Sequence, residues 1–237
     1  MKNQLTLLLA LLFTLQGFSQ VIGDATDPEA EDGIWYMYFG MNRLSDKVSL
    51  HTEAQFRYYQ TEGNFNQLLL RTGINFHVKP NAILTAGYAF IDTDPTFTEM
   101  GLQDAEFAGN EILEHRIFEQ FILTNKAGEF LFEHRYRLEQ RFIENTDLGT
   151  NFTRHRARYR LQVTLPLTNT FFLNFYDEVF VNLQEPLFDQ NRLYGALGVR
   201  ITENASIQLG YLKNHFSGAN FDRYQVGFFF NPDFRKK

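Results

Sequence analysis

Residues 130–165 read FLFEHRYRLEQRFIENTDLGTNFTRHRARYRLQVTL, and each half of this stretch alternates with a period of two. In the first half Phe130, Phe132, His134, Tyr136, Leu138, Gln140 and Phe142 share one face, while Glu133, Arg135, Arg137, Glu139 and Arg141 share the other. In the second half Ala157, Tyr159, Leu161, Val163 and Leu165 oppose Arg154, Arg156, Arg158 and Arg160. Period two is the signature of a strand with two chemically different faces. Each half extends over about 14 residues, well beyond the globular mode of about 5–6. Long strands that are apolar outside and charged inside fit a membrane-spanning barrel, whose outer face meets lipid and whose inner face meets water or other side chains. The expected fold is all-β: a transmembrane up-and-down antiparallel barrel of about 12 strands, with 10 to 12 allowed.

The rest of the chain agrees with this class. Phe occurs 26 times and aromatic residues make up 16% of the sequence, which favours strands over helices. Lys2, the apolar run 5–15 and the small residues Gly17 and Ser19 read as a secretory signal over residues 1–19, cleaved after Ser19. That run is shorter than the roughly 20 residues a helix needs to cross a bilayer. Removing residues 1–19 takes away Lys2 and no acid, moving the net charge from -6 to -7. The chain has no cysteine, so no disulfide holds the fold together. The expected location is the outer membrane of a Gram-negative bacterium, reached by export and by the barrel assembly machinery, with outer-membrane lipid as the surrounding partner.

Residues 20–33 are acidic and aperiodic and read as a mobile segment ahead of a barrel over 34–237. Strands are predicted over 34–41, 48–59, 66–78, 82–92, 112–124, 129–144, 152–165, 170–183, 190–202, 205–214 and 221–231. Short turns alternate with longer loops, the longest being the acidic 93–111. Tyr58, Tyr88, Phe130, Phe171, Phe228 and Phe230 lie near strand ends, where aromatic girdles sit. Eleven predicted strands conflict with the even count usual for bacterial barrels. Twelve is therefore favoured, with a further strand in 20–33; alternatively, that segment threads the lumen.

The inward faces collect far more arginine than glutamate. The candidate anion-binding residues are Arg116, Arg135, Arg137, Arg141, Arg154, Arg156, Arg158 and Arg160, with Arg57, Arg71, Arg192, Arg200 and Arg223 also inward. The candidate luminal carboxylates are Glu114, Glu133, Glu139 and Glu178, with Glu53 also inward. Rings of fixed positive charge favour anions in a pore, whereas in a narrow barrel the same side chains can simply fill the interior. A four-residue turn at 125–128 places Arg116, Arg137 and Arg158 side by side with no carboxylate beside them, and places Glu139 next to Arg156. The same register sets Glu119 opposite His134 as a polar pair on the lipid face, with Asp177 also outward. Ser49, His51 and Glu53 share the inward face of one strand, but same-face neighbours are about 6.6 Å apart, a spacing that argues against direct hydrogen bonds between them. No H-E-x-x-H motif or phosphate-binding glycine loop occurs, so neither a metal nor a cofactor is expected. Arginines that alternate into an enclosed lumen do not make a nucleic-acid surface.

WYMYFG (35–40), SDKVSLHTEAQFRYY (45–59), NQLLLRTG (66–73), EHRYRLEQRF (133–142), YDEVF (176–180) and the terminal DFRKK resemble the bacterial family called domain of unknown function 2490. The resemblance implies an outer-membrane β-barrel and assigns no catalytic residue. The tail departs from the usual barrel ending, because Phe234 is followed by Arg235, Lys236 and Lys237. The functional expectation is a passive pore for small anionic solutes. An outer-membrane lipid hydrolase with an exterior site and a structural or adhesion barrel are the alternatives.

Overall fold

A computed structural model of the chain describes residues 31–61, 63–98, 106–107 and 109–235. The expected signal (1–19), most of the acidic segment (20–33) and the centre of the long loop lie outside the described residues. The elements are β1 (Gly33–Arg43), β2 (Val48–Gln60), β3 (Gly63–Lys79), β4 (Ala82–Thr93), β5 (Phe97–Thr98), β6 (Glu106–Phe107), β7 (Ile112–Ala127), β8 (Phe130–Asn145), β9 (Thr150–Pro166), β10 (Phe171–Asn182), β11 (Phe188–Arg200), β12 (Ala205–Phe216) and β13 (Ala219–Phe230). Eleven of them close a barrel in the order β1-β13-β12-β11-β10-β9-β8-β7-β4-β3-β2, while β5 and β6 form a separate two-stranded ladder.

Eleven lies within the expected 10 to 12 and equals the number of strands read from the periodicity. The parity conflict is resolved at the seam. β1 and β13 pair in parallel, from Gly33 opposite Arg223 to Gly40 opposite Phe230, while every other neighbouring pair in the barrel is antiparallel. An odd number of alternating strands can close only in this way, and closure leaves no unpaired edge.

The β7–β8 register differs from the one expected. The strands extend further than the sequence pattern indicates, so that Ala127 faces Phe130 and only Gly128 and Glu129 form the turn. Gly128 has φ 62°, the left-handed conformation that a tight hairpin demands at its first central position. Pairing is thereby displaced by four residues from a turn at 125–128. A displacement by an even number keeps every side chain on its own face and changes only its partners.

The outer surface is apolar. Phe56, Leu70, Ile74, Leu84, Ile117, Tyr136, Leu138, Leu197, Leu209 and Tyr224 are among its exposed side chains. The interior buries arginine, glutamate and amide side chains together with Trp35, Phe118, Phe172, Phe180 and Tyr194. Inward glycines make room for some of these rings. A Cβ on Gly87 would collide with the Thr72 carbonyl oxygen and with the ring of Phe118, its partner on β7. Because a backbone oxygen cannot swing aside, Gly87→Ala is expected to cost about 1–3 kcal/mol of stability. Urea unfolding in detergent micelles checks this; an unchanged midpoint would show that β4 can shift to accept the methyl group.

The tail folds back on the opening turn. The Phe234 amide donates to the Arg43 carbonyl at 2.8 Å, and Arg235 pairs with Asp46 and Asp233, each at 2.6 Å. Hydrogen bonds from Arg235 hold the Asp233 carboxyl down at about 2. The basic ending is thus a clasp across the β1–β2 turn.

Candidate functional site

A β-strand aims alternate side chains into the barrel, and neighbouring strands bring those side chains into rows. A cavity of about 510 Å³ lies among them. Its lining includes ten arginines (57, 71, 116, 135, 137, 141, 156, 158, 160 and 192) and four glutamates (53, 114, 133 and 178). Seven of the eight candidate arginines are therefore at the cavity. The exception is Arg154, which is exposed near the loop-side end of β9 and reaches the Glu185 carbonyl at 3.5 Å.

Glu139 is the centre of the charge network. Its side chain has no exposed area and accepts from Arg158 at 2.6 Å and Arg156 at 2.7 Å, with Arg116 at 3.4 Å and Arg137 at 3.7 Å. Glu178 bridges Arg135 at 2.6 Å and Arg158 at 2.9 Å. Glu114 holds Arg116 at 2.7 Å and Arg141 at 2.9 Å. Glu133 pairs with Arg160, Glu53 with Arg71 at 2.7 Å, and Asp189 with Arg156 at 2.6 Å. Charges this far from water are tolerated only when paired, and the glutamates are spaced so that most are shared between arginines.

These contacts correct the expected row of three arginines. Arg137 does face Arg158, and Glu139 does face Arg156. Arg116, however, faces Arg141 rather than Arg137, and Glu139 supplies the carboxylate that the row was expected to lack. The lipid-face pair is corrected by the same displacement. Glu119 faces Leu138, and His134 faces Leu123. Glu119 instead accepts from Gln140 at 3.1 Å, and His134 Nδ1 lies 2.9 Å from the Tyr159 hydroxyl. Among the described residues no carboxylate is bonded to His134, so the expected pair is not assembled.

Hydrogen bonding along one strand is also closer than the Cα spacing suggests. His51 Nε2 lies 3.0 Å from Glu53, and Gln55 donates to Glu53 at 2.5 Å. Long side chains lean along the strand and bridge the gap. Ser49 bonds His77 at 2.8 Å rather than His51, and it is fully buried. A fully buried hydroxyl is closed to a substrate.

Periodicity does not show that Trp35, Phe118 and Phe180 are buried inside the barrel. Arg57 stacks over Trp35 at 3.9 Å, and Arg192 lies 5.1 Å from the same ring and 4.8 Å from Phe180. Phe180 also carries Arg158 at 4.1 Å and Arg156 at 5.0 Å, while Phe118 carries Arg137 at 4.9 Å. A ring face attracts a guanidinium and leaves its N–H edge free to donate. Several such edges have spare donors: Arg71 Nε, Arg135 Nε, Arg137 Nη1, Arg160 Nε and Arg192 Nε are buried without a hydrogen-bond partner. Such N–H donors are of the kind that receive anionic oxygens.

Among known proteins, a family model described as a protein of unknown function (DUF2490) matches residues 32–225. That span runs from just ahead of β1 into β13. No curated protein and no solved structure matches the chain.

Proposed function

The chain belongs to the DUF2490 family of proteins of unknown function, and we propose that it is an outer-membrane β-barrel acting as a passive pore for small anionic solutes. The exposed apolar belt supports the membrane location, because a surface this rich in leucine and aromatic side chains is costly in water and favourable in lipid. Closed strand pairing supports it further, since every ladder finds its partner within the barrel. In this reading a signal over residues 1–19 directs export in a Gram-negative cell, and barrel assembly machinery inserts the chain into outer-membrane lipid.

One observation carries the anion preference. Ten arginines line the cavity against four glutamates, with Glu139 buried behind them. The surplus is positive although the whole chain carries a net charge of -6. Fixed positive charge in a narrow, low-dielectric passage lowers the energy of an anion and raises that of a cation.

Reconstitution in a planar bilayer under a potassium chloride gradient tests the proposal. The expected result is a conductance whose reversal potential lies on the chloride side. Absence of conductance, or a reversal potential on the potassium side, would overturn it. The hydrolase and adhesion alternatives have no comparable observation in their favour.

A further inference from the structure

Arg57 and Arg192 differ from the other cavity arginines in having no ion-pair partner among the described residues. Arg57 is held by neutral groups: it donates to Gln55 Oε1 at 3.0 and 2.6 Å and to Gln67 Oε1 at 2.6 Å. These bonds use three of its five N–H donors. Arg192 shows only ring contacts, and its Nε is buried without a partner. Glu178, its cross-strand neighbour on β10, is occupied by Arg135 and Arg158.

Both guanidiniums approach one indole, that of Trp35, at 3.9 and 5.1 Å. Their carbons therefore lie no farther apart than those two distances combined. Two cations that lack an ion-pair partner and lie within that distance repel each other at low dielectric, and an anion received by both would offset the repulsion. Gln190 adds a second kind of group. It lies two residues before Arg192 on the same inward face of β11, lines the cavity, and buries an Oε1 with no donor. A bare anion cannot satisfy that acceptor, but a hydroxyl can.

We infer that Arg57, Arg192 and Gln190 form a binding site for a small hydroxylated anion, of which an acidic monosaccharide is the simplest kind. The anionic oxygens accept from the two guanidinium edges, and a neighbouring hydroxyl donates to Gln190 Oε1. Trp35 and Phe180 hold the plane of Arg192, so little side-chain freedom is lost on binding. The cavity volume of about 510 Å³ falls within the range of about 300–1,000 Å³ typical of small-molecule sites. The inference rests on the anion-pore reading for access to the site. It can nevertheless be tested without any current, because Trp35 is the only tryptophan in the chain.

The full-length barrel in detergent micelles is titrated with sodium glucuronate while Trp35 emission is followed, with glucose and sodium chloride at matched ionic strength as controls. A saturable change is expected with glucuronate and not with glucose or sodium chloride. Arg192→Gln should raise the half-saturation concentration by roughly tenfold or more, as expected for one lost charge-assisted donor set. Gln190→Leu should raise it for glucuronate and leave it unchanged for sulfate, which has no hydroxyl to donate. Arg57→Gln serves in place of Arg192→Gln if that variant does not refold. An equal response to glucose, no saturable response, or half-saturation unchanged in both arginine variants would overturn the site. Anion-selective conductance without a Trp35 response would reject the site and keep the pore. A Trp35 response without conductance would keep the site and reject the pore.

Discussion

Glu139→Gln is expected to lower the stability of the barrel by about 3–5 kcal/mol, the usual cost of removing one partner from a buried charge cluster. The side chain is wholly enclosed and is shared by Arg116, Arg137, Arg156 and Arg158. Three of these keep another carboxylate: Glu114 for Arg116, Asp189 for Arg156 and Glu178 for Arg158. Arg137 does not. It retains only Gln120, at 2.9 and 2.5 Å, and the face of Phe118. The loss should therefore shrink when Arg137→Met is added, since that substitution removes the charge left without a partner. A double-mutant cycle by urea unfolding in micelles measures the coupling. A loss below about 1 kcal/mol for Glu139→Gln would mean that the remaining carboxylates carry the network by themselves.

The second large effect concerns selectivity. In the proposed pore, Arg57→Gln combined with Arg192→Gln is expected to lower the chloride-to-potassium permeability ratio by about tenfold or more; about 1.4 kcal/mol of altered electrostatic energy suffices for a tenfold change. These two positions suit the test because neither is part of an ion pair, so removing the charge breaks no existing bridge and sets no carboxylate beside the enclosed Glu178. Arg137→Glu would be a poorer test. It would place a second carboxylate beside the enclosed Glu139 and disturb folding before it reported on ions. Reversal potentials of the double variant, with circular dichroism to confirm the strands, decide the matter. An unchanged ratio in a folded variant would remove Arg57 and Arg192 from the ion path.

Most of the architecture is legible in the sequence because a barrel strand shows its two faces at every second residue. The 130–165 hairpin pair illustrates how far this reaches. Periodicity places Glu133, Arg135, Arg137, Glu139 and Arg141 inward, and the β8–β9 register follows from a correctly located turn, so Arg137 meets Arg158 as expected. The β7–β8 register is lost because Asn125 and Lys126 look like turn residues while the left-handed Gly128 sets the actual turn. Parity of side-chain facing survives such a slip, but partners do not, and ion pairs depend on partners. The Trp35 cluster is illegible for another reason. Arg192 lies on β11 and Trp35 on β1, and they meet only when β12 and β13 curve round to close the barrel. No local pattern encodes that meeting. The inward aromatic residues are hidden as well, because alternation distinguishes the faces only while each keeps its own chemistry, and Phe118 and Phe180 interrupt the polar one.

The parallel seam also has a consequence for the direction in which the chain is threaded. A hairpin returns the chain to the rim it left, so an even set of strands delivers both ends to one rim. Eleven strands make one net passage along the barrel axis. Gly33 and Phe230 consequently leave the barrel at opposite rims. Glu31 and Asp32, just ahead of Gly33, and Arg235, beyond Phe230, therefore stand toward opposite rims. The barrel has a polarity along its axis, acidic where the chain enters it and basic where the chain leaves.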